Sequence, residues 1–188
     1  SNCTNLSSVT LGSGLTSIGK WLFRGCSSLV DLTLGENITN IDNFAFAECS
    51  SLESVTLPEG LTNIGISAFE KCDALSSVTL PDGLTTVGKQ AFLNCGSLNG
   101  VTVPGSVTSI GDQAFGFLTD ESMNASVKEG FQLTGTTGTA AANYAANAGV
   151  SFFDPDAPTT TTTTTSITTE DTTSTETTVS TGETDLTD

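Results

Sequence analysis

Five cysteines are the side chains of this chain best suited to nucleophilic or metal chemistry. A zinc site needs ligands at short spacings with further Cys or His partners, and a cysteine nucleophile normally needs a neighbouring base. The chain has no histidine, and consecutive cysteines lie 23 residues apart. The pattern therefore predicts no metal site, no catalytic residue and no cofactor. The cysteines are Cys3, Cys26, Cys49, Cys72 and Cys95.

The charged residues exclude two further classes of function. There are 21 acidic side chains against five basic ones among 188 residues, for a net charge of −16. The bases form no cluster, so neither a phosphate backbone nor an anionic membrane surface is an expected partner. No apolar run approaches the roughly 18 residues that a membrane span needs. The carboxylates include no pair set apart as acid and base, so we expect a protein that is not an enzyme.

The constant cysteine spacing belongs to a repeat of the whole chain from residue 3 to about 118. Units such as "CSSLESVTLPEGLTNIGISAFEK" and "CDALSSVTLPDGLTTVGKQAFLN" align column by column. A unit of 23 residues cannot bury its own apolar face, whereas stacked units cover one another. The pattern therefore predicts a solenoid of five units. One column holds a phenylalanine in every unit, at Phe23, Phe46, Phe69, Phe92 and Phe115.

Each unit predicts the same short elements. The alternation apolar, Thr, apolar indicates a half-buried strand, which ends near a Pro or Gly, as at Pro81. A second short extended piece such as "LTNI" follows. A glycine column, which includes Gly65 and Gly88, predicts a tight turn, although Asp42 interrupts it in the second unit. A single helical turn such as "KQAFLN" then closes the coil and points its Ala and Phe inward.

The stacking of coils allows two states for the cysteines, disulfides between adjacent coils or buried free thiols. Equivalent residues of adjacent coils lie about one strand spacing apart, which is within reach of a disulfide. Five is an odd number, however, and in-register side chains point in parallel. Because Cys is among the residue types most often buried, the main expectation is a ladder of buried free thiols, with bridges as the alternative.

The pattern "CxxLxxVTLPxGLTxIGxxAFxxC" resembles the leucine-rich repeats of BspA-like (Treponema pallidum-type) bacterial proteins. The resemblance covers residues 3 to about 118. It implies a right-handed, curved leucine-rich repeat solenoid with a parallel sheet on its inner face. It also implies a bacterial protein that is secreted or attached to the cell surface and used for adhesion or protein binding.

Residues 119–156 predict a C-terminal cap. The segment 119–130 is polar and indicates a connecting loop. The following residues indicate a strand, a turn, a short Ala-rich helix with Thr139 as its N-cap and Gly149 at its end, and a second strand. Atypical terminal units are expected on solenoids, and this one resembles the "TGSxAExYAxxNGxxF" ending of the same family. No corresponding N-terminal cap is visible, so further upstream sequence is expected.

Residues 157–188 predict an extended, disordered linker. The stretch 159–188 has 17 threonines, six acids and no base, and such a composition cannot offset the entropy of ordering the chain. A linker implies a module at its far end, for which a dockerin, the anchoring module of cellulosomes, is one candidate. No "DxDxDG" calcium loop occurs in this chain.

The exposed face of the sheet is the candidate binding surface. One complete threonine column alternates with buried positions, and beside it the side chains differ from unit to unit, as solenoid binding surfaces do. A second complete column runs from Thr16 to Thr108. Strand propensity and Thr–Thr pairing are the main expected reason for both columns, and a contact surface for a protein or glycan is the alternative. The candidate contact residues are Thr10, Asp31, Thr33, Glu53, Thr56, Ser77, Thr79, Asn99 and Thr102.

The sequence therefore predicts a monomeric, extracellular, non-catalytic module that binds a protein partner. The alternative is a structural spacer or scaffold component of a surface complex such as a cellulosome. A glycan partner is a weaker alternative, since the predicted sheet face lacks an aromatic ring on which a sugar could stack. Trp21 is a candidate contact residue outside that face, although a position at the core edge is the main expectation for it.

Overall fold

The computed structural model describes residues 2–158, and residues 1–156 fall in one compact unit. Each repeat contributes a three-residue strand and, after a turn, a two-residue strand. The three-residue strands are β1 Ser8–Thr10, β3 Asp31–Thr33, β5 Ser54–Thr56, β7 Ser77–Thr79 and β9 Gly100–Thr102. The two-residue strands are β2 Ser17–Ile18, β4 Asn40–Ile41, β6 Asn63–Ile64, β8 Thr86–Val87 and β10 Ser109–Ile110.

Equivalent strands of successive repeats pair in parallel. Strands β1, β3, β5 and β7 form one sheet, and β2, β4, β6, β8 and β10 form a second. The register joins identical columns, for example Val55 with Val78 and Ile64 with Val87. This register follows from the repeat, because a slip by one residue would turn the apolar side chains to the solvent. Among the described residues, the parallel solenoid predicted from the sequence is confirmed.

The core is a set of side-chain columns that run along the solenoid. Successive rings of the phenylalanine column stack with centroids 5.1–5.3 Å apart and planes within 13° of parallel. Leu29, Leu52, Leu75 and Leu98 form a parallel buried column. A repeat cannot bury these residues alone, so each coil is stabilised by its neighbours.

The cysteines confirm most of the expected ladder. No disulfide joins any of them, and Cys26, Cys49, Cys72 and Cys95 are buried. Three of the thiols donate to the carbonyl oxygen of a phenylalanine in the preceding coil, as Cys72 does to Phe46 at 3.3 Å. The expectation of burial is wrong for Cys3, which is exposed, because no described coil covers that side of it.

Glycine is required in the glycine column for a reason other than the predicted tight turn. Its glycines do not adopt the left-handed conformation. A Cβ at Gly88 would instead lie 2.5 Å from the backbone of Gly65, and one at Gly65 would lie 2.6 Å from the backbone of Asn43. Close approach of neighbouring coils therefore requires glycine there.

The end of each coil is a pair of turns and not the predicted single helical turn. Two positions per repeat adopt left-handed backbone angles, as Gln90 (φ 59°) and Asn94 (φ 60°) do in the fourth repeat. A right-handed helix cannot continue through such residues, so short turns form, as between the Ala91 N–H and the Gly88 carbonyl. Within residues 2–158 the one helix is α1, Ala140–Ala148.

The C-terminal cap contains one element more than predicted. The loop expected at 119–130 includes a strand: β11 Phe117–Thr119 and β12 Ala125–Val127 pair as an antiparallel hairpin. Its turn is held by the Asp120 carboxylate, which accepts from the backbone N–H groups of Ser122 and Asn124 at 2.9 and 2.8 Å. Strand β13 Gln132–Thr134, helix α1 and strand β14 Ser151–Phe153 then follow in the predicted order.

The cap continues the solenoid by strand pairing. Strand β13 pairs in parallel with β9 on one side and with β14 on the other. Helix α1 ends at Gly149 (φ 70°), as predicted, while Thr139 at its N-terminus makes no side-chain capping hydrogen bond. The predicted linker at 157–188 lies outside the described residues apart from its first two.

Candidate functional site

The two threonine columns, indistinguishable in sequence, have different environments. In the column that begins at Thr16, each hydroxyl of the later repeats donates to the carbonyl oxygen of the equivalent threonine one repeat earlier. Thr62 donates to Thr39 at 3.0 Å and Thr85 to Thr62 at 2.9 Å, with longer bonds from Thr39 and Thr108. These threonines are exposed too, but their hydroxyls hydrogen-bond along the stack and so contribute to its stability.

The other threonine column lies on the exposed face of the five three-residue strands β1, β3, β5, β7 and β9. Thr10 pairs with Thr33, Thr33 with Thr56, and Thr56 with Thr79, and all are exposed. We call this surface, formed by the outward side chains of β1, β3, β5, β7, β9, β13 and β14, the threonine face. A rigid strand scaffold therefore presents one hydroxyl per coil at regular spacing.

The cap extends the threonine face by two residues that the repeat did not predict. Thr102 in β9 is in register with Thr134 in β13, and Thr134 is in register with Phe153 in β14. Phe153 is 50% exposed. The row of threonines thus ends on an exposed aromatic ring, and that ring supplies the aromatic surface that the repeats lack.

A second row of side chains lies beside the threonines and varies between coils. In register along this row lie Ser8 and Asp31, then Ser54 and Ser77, and then Gly100, Gln132 and Ser151. Glu53 and Asn99 are exposed one residue before strands β5 and β9. All nine predicted contact residues are exposed; seven of them lie in the longer strands with their side chains on the threonine face, and Glu53 and Asn99 precede their strands.

Two depressions lie along the threonine face. One of about 460 Å³ is bordered by β7, β9 and β13, and its lining includes Ser77, Thr79, Asn99 and Thr102. Strands β7 and β9 lie side by side there but belong to separate sheets. The other, of about 620 Å³, is lined in part by Thr33, Thr56, Glu36 and Glu59. Six of the nine predicted residues therefore border a depression.

Charge is unevenly distributed over this side of the molecule. Asp31 and Glu53 lie beside the threonines, and Glu36, Glu59 and Asp82 follow the strands at equivalent positions of three consecutive repeats. One base approaches the C-terminal part, where the ammonium of Lys128 donates to the carbonyl oxygen of Leu98 at 2.8 Å and to the side chain of Asn99. The face is acidic near β3 and β5 and neutral near β9 and β13.

Sequence reasoning missed the cap's contribution to this face. The signal was present, since "FQLT" repeats the apolar–Thr alternation of "LNGVT", but without the register of β13 it could not be placed in the row. Trp21, expected at the core edge, is 46% exposed and lies away from the threonine face.

The comparisons with known proteins agree with this architecture. The profile of the BspA type leucine rich repeat region matches residues 1–119 in six copies. The leucine rich repeat protein of T. pallidum is similar in structure, with a TM-score of 0.55 and 29% sequence identity over 58% of this chain and 58% of that one. No curated protein matches the chain.

A leucine rich cell surface protein from Faecalibacterium prausnitzii is also similar, with a TM-score of 0.55 and 28% identity over 74% of this chain and 45% of that one. The match thus spans about half of the length of either relative. In residues 2–158 no helix has the length and apolar character needed to cross a membrane. The repeat sequence, the parallel strands and these similarities together show that the chain belongs to the BspA-type leucine-rich repeat family.

Proposed function

We propose that this chain is a non-catalytic, extracellular module that binds a protein partner through the threonine face. The observation that carries the proposal is the row of threonines in two adjacent sheets, from Thr10 to Thr79 and from Thr102 to Thr134, which ends on the exposed ring of Phe153. Rigid strands hold these side chains, so little conformational entropy is lost when a partner binds. Aromatic rings are enriched among residues that dominate binding energy, and Phe153 is the candidate anchor.

The charge of the face defines the kind of partner. Asp31, Glu53, Glu36 and Glu59 surround the middle of the face, and no basic side chain forms an ion pair with any of them in the part of the chain that the structure describes. A partner with basic side chains opposite these acids and an apolar site opposite Phe153 is complementary to it. Such a pair associates faster at low ionic strength.

An extracellular location is supported by one observation, since the F. prausnitzii relative is described as a cell surface protein. Adhesion to a host or neighbouring cell is the role we propose for the binding. A glycan partner on this face has less support, because Phe153 lies at the end of the row and not at its centre.

A structural spacer is the second candidate function. The regular solenoid and the Thr-rich composition of 159–188 favour a component that holds another module, such as a dockerin, at a distance. A spacer needs no specific contact on the threonine face. The two functions therefore differ in their response to substitutions there.

A matched pair of variants tests the proposal. Thr79→Arg with Thr102→Arg adds two positive charges and bulk to the face, whereas Asp112→Arg changes the charge by the same amount at an exposed turn outside it. Both variants and the original chain are applied to an array of purified extracellular matrix and bacterial surface proteins. We expect at least one protein whose binding falls tenfold or more for the face variant and is retained for Asp112→Arg. If no protein distinguishes the two variants, the spacer function is favoured.

A further inference from the structure

A second candidate site lies outside the threonine face, at the turn that closes the first coil. One position in this turn adopts a left-handed backbone in every repeat, with φ between 52° and 60°. The later repeats place Ser67, Gln90 and Gln113 there, but the first two place Trp21 and Phe44. Bulky residues are rare in this conformation, and strained positions of this kind concentrate at functional sites.

Trp21 borders a cavity of about 470 Å³ whose other lining residues are Asn2, Arg24 and Glu48. The cavity is a depression open to solvent and not an enclosed cleft. Lys20 places its ammonium 4.2 Å from the centre of the indole ring, and the ring of Phe44 lies 6.3 Å from it at a tilt of 32°. Neither Lys20 nor Phe44 lines the cavity. The part of the indole ring that borders the cavity is therefore not covered by these two side chains.

Gly25 makes room for the side chain of Asn2 beside this cavity. It occupies the same column as Asn2 in the preceding turn and Glu48 in the following coil, where the other repeats carry Lys71 and Asn94. A Cβ at Gly25 would overlap the side chain of Asn2. The missing side chain lets Asn2 approach this turn, where it lines the cavity together with Trp21, Arg24 and Glu48.

The polar side chains of the cavity are held by an ion pair and still have hydrogen-bonding groups available to a ligand. Arg24 donates to Glu48 at 2.8 Å, while the two side chains stay 45% and 40% exposed. This ion pair uses one guanidinium nitrogen and one carboxylate oxygen, so further donors on Arg24 and an acceptor on Glu48 remain. Hydroxyl groups both donate and accept, and two adjacent hydroxyls match the planar guanidinium, carboxylate and amide groups.

We propose that this cavity binds a neutral pyranose unit of a glycan. A pyranose combines a flat face of C–H groups, which stacks on an indole, with a rim of hydroxyls for Asn2, Arg24 and Glu48. An apolar side chain of a protein would leave Asn2, the remaining donors of Arg24 and the second carboxylate oxygen of Glu48 without a partner, which is unfavourable. Arg24 and Glu48 neutralise each other at the cavity, which suits an uncharged sugar. The site is independent of the threonine face.

The chain offers a direct probe, because Trp21 is its only tryptophan. Fluorescence excited at 295 nm therefore reports this site alone. The full chain is titrated with methyl β-D-glucopyranoside, methyl β-D-galactopyranoside and cellohexaose. We expect a saturable change with at least one of them, with a Kd on the order of 1 mM for a single stacked ring and a few hydrogen bonds. The absence of any saturable change up to about 50 mM with all three overturns the proposal.

Variants separate this site from non-specific quenching. Binding to Trp21→Ala is followed by saturation-transfer NMR on the sugar, and Glu48→Gln is followed by fluorescence. We expect loss of binding with Trp21→Ala and a fall of about tenfold with Glu48→Gln. Gln90→Ala, at the equivalent turn position of the fourth repeat, is the matched control and should bind as the original chain does. Thermal unfolding checks that each variant is folded. Sugar binding that survives Trp21→Ala contradicts the assignment.

Discussion

The hydroxyl of Tyr144 forms two hydrogen bonds with the backbone of Phe115. It donates to the carbonyl oxygen at 2.7 Å and accepts from the N–H at 2.9 Å. In the preceding coils that N–H donates to an alanine carbonyl of the next coil, as Phe92 does to Ala114. Phe115 has no further repeat to supply this acceptor. Tyr144 therefore replaces the missing coil, and its ring closes the phenylalanine stack edge-on at 6.2 Å.

Replacing Tyr144 with Phe should destabilise the protein by about 2–4 kcal/mol. The substitution leaves the buried N–H and carbonyl of Phe115 without these partners, and each such group costs about 1–3 kcal/mol. Urea unfolding followed by circular dichroism measures the change. Ser151→Ala removes an exposed hydroxyl from the same cap and should change the free energy of unfolding by less than about 0.5 kcal/mol. Equal effects of the two variants would contradict the role of Tyr144.

The two threonine columns should respond differently to the same substitution. Thr62→Val removes the hydroxyl that donates to Thr39, and we expect a loss of about 1 kcal/mol. Thr56→Val removes an exposed hydroxyl of the same repeat from a strand that favours β-branched residues, so stability should change by less than about 0.5 kcal/mol. Chemical unfolding of both variants measures the difference. A larger loss with Thr56→Val would reverse the assignment of the columns.

Thiol labelling should distinguish Cys3 from the other cysteines. Cys3 is exposed, whereas Cys26, Cys49, Cys72 and Cys95 are buried. With Ellman's reagent under native conditions we expect one thiol to react quickly and four to react only on unfolding. Mass spectrometry after brief alkylation should locate the early label on Cys3. A second fast thiol, or a bridge between adjacent coils, would show that the cysteine ladder is not the closed core described.

The buried thiols should make the protein unstable in alkali. Burial raises the pKa of Cys49 and of Cys95 to about 12, and it raises the pKa of Cys72 well above its ordinary value. In the unfolded chain a thiol ionises near pH 8.5. Above that pH the folded state binds more protons than the unfolded state, so the free energy of unfolding falls as the pH rises toward 12. The expected slope is about 1.4 kcal/mol per pH unit for each fully buried thiol.

Tyr144 adds to this alkaline loss above about pH 10, because burial raises its pKa to about 12. Unfolding free energies at several pH values from 7 to 11 give the slope. Cys95→Ala should make the slope shallower whatever its effect on stability at pH 7. Cys3→Ala, at an exposed position, should leave the slope unchanged. A stability that stays constant between pH 8.5 and 11 would be inconsistent with buried protonated thiols.

Removing carboxylates from the threonine face should weaken binding to the proposed basic partner. Asp31→Asn together with Glu53→Gln deletes two negative charges without changing side-chain size. We expect the association rate to fall several-fold at low salt and the difference to shrink as ionic strength rises. Surface plasmon resonance at several salt concentrations provides the measurement. Asp73→Asn with Glu121→Gln, a pair of acids outside the face, is the control of equal charge and should have little effect.

Most of the solenoid can be predicted from the sequence because every repeat carries the same pattern of apolar residues. The columns that contain Cys26, Leu29 and Phe46 recur every 23 residues, and identical coils can bury identical columns only by stacking in register. The strands of the repeats, the core and the buried thiols follow from that one period, whereas the order of elements around α1 follows from the local pattern of the cap. The hairpin of β11 and β12 does not, because strands of three residues have no periodicity to detect and depend on a partner. The turn at Asp120 holds that partner in place.

Tertiary structure alone decided which surfaces are available. Thr56 and Thr62 belong to equally complete columns, and the sequence cannot tell them apart. Both are exposed, and only the stacking places a carbonyl oxygen within hydrogen-bond distance of the Thr62 hydroxyl. The alignment of Phe153 with the threonine row depends on a pairing across the cap. The cavity beside Trp21 depends on side chains from three successive coils. Such contacts lie between coils, whereas the 23-residue period describes one coil at a time.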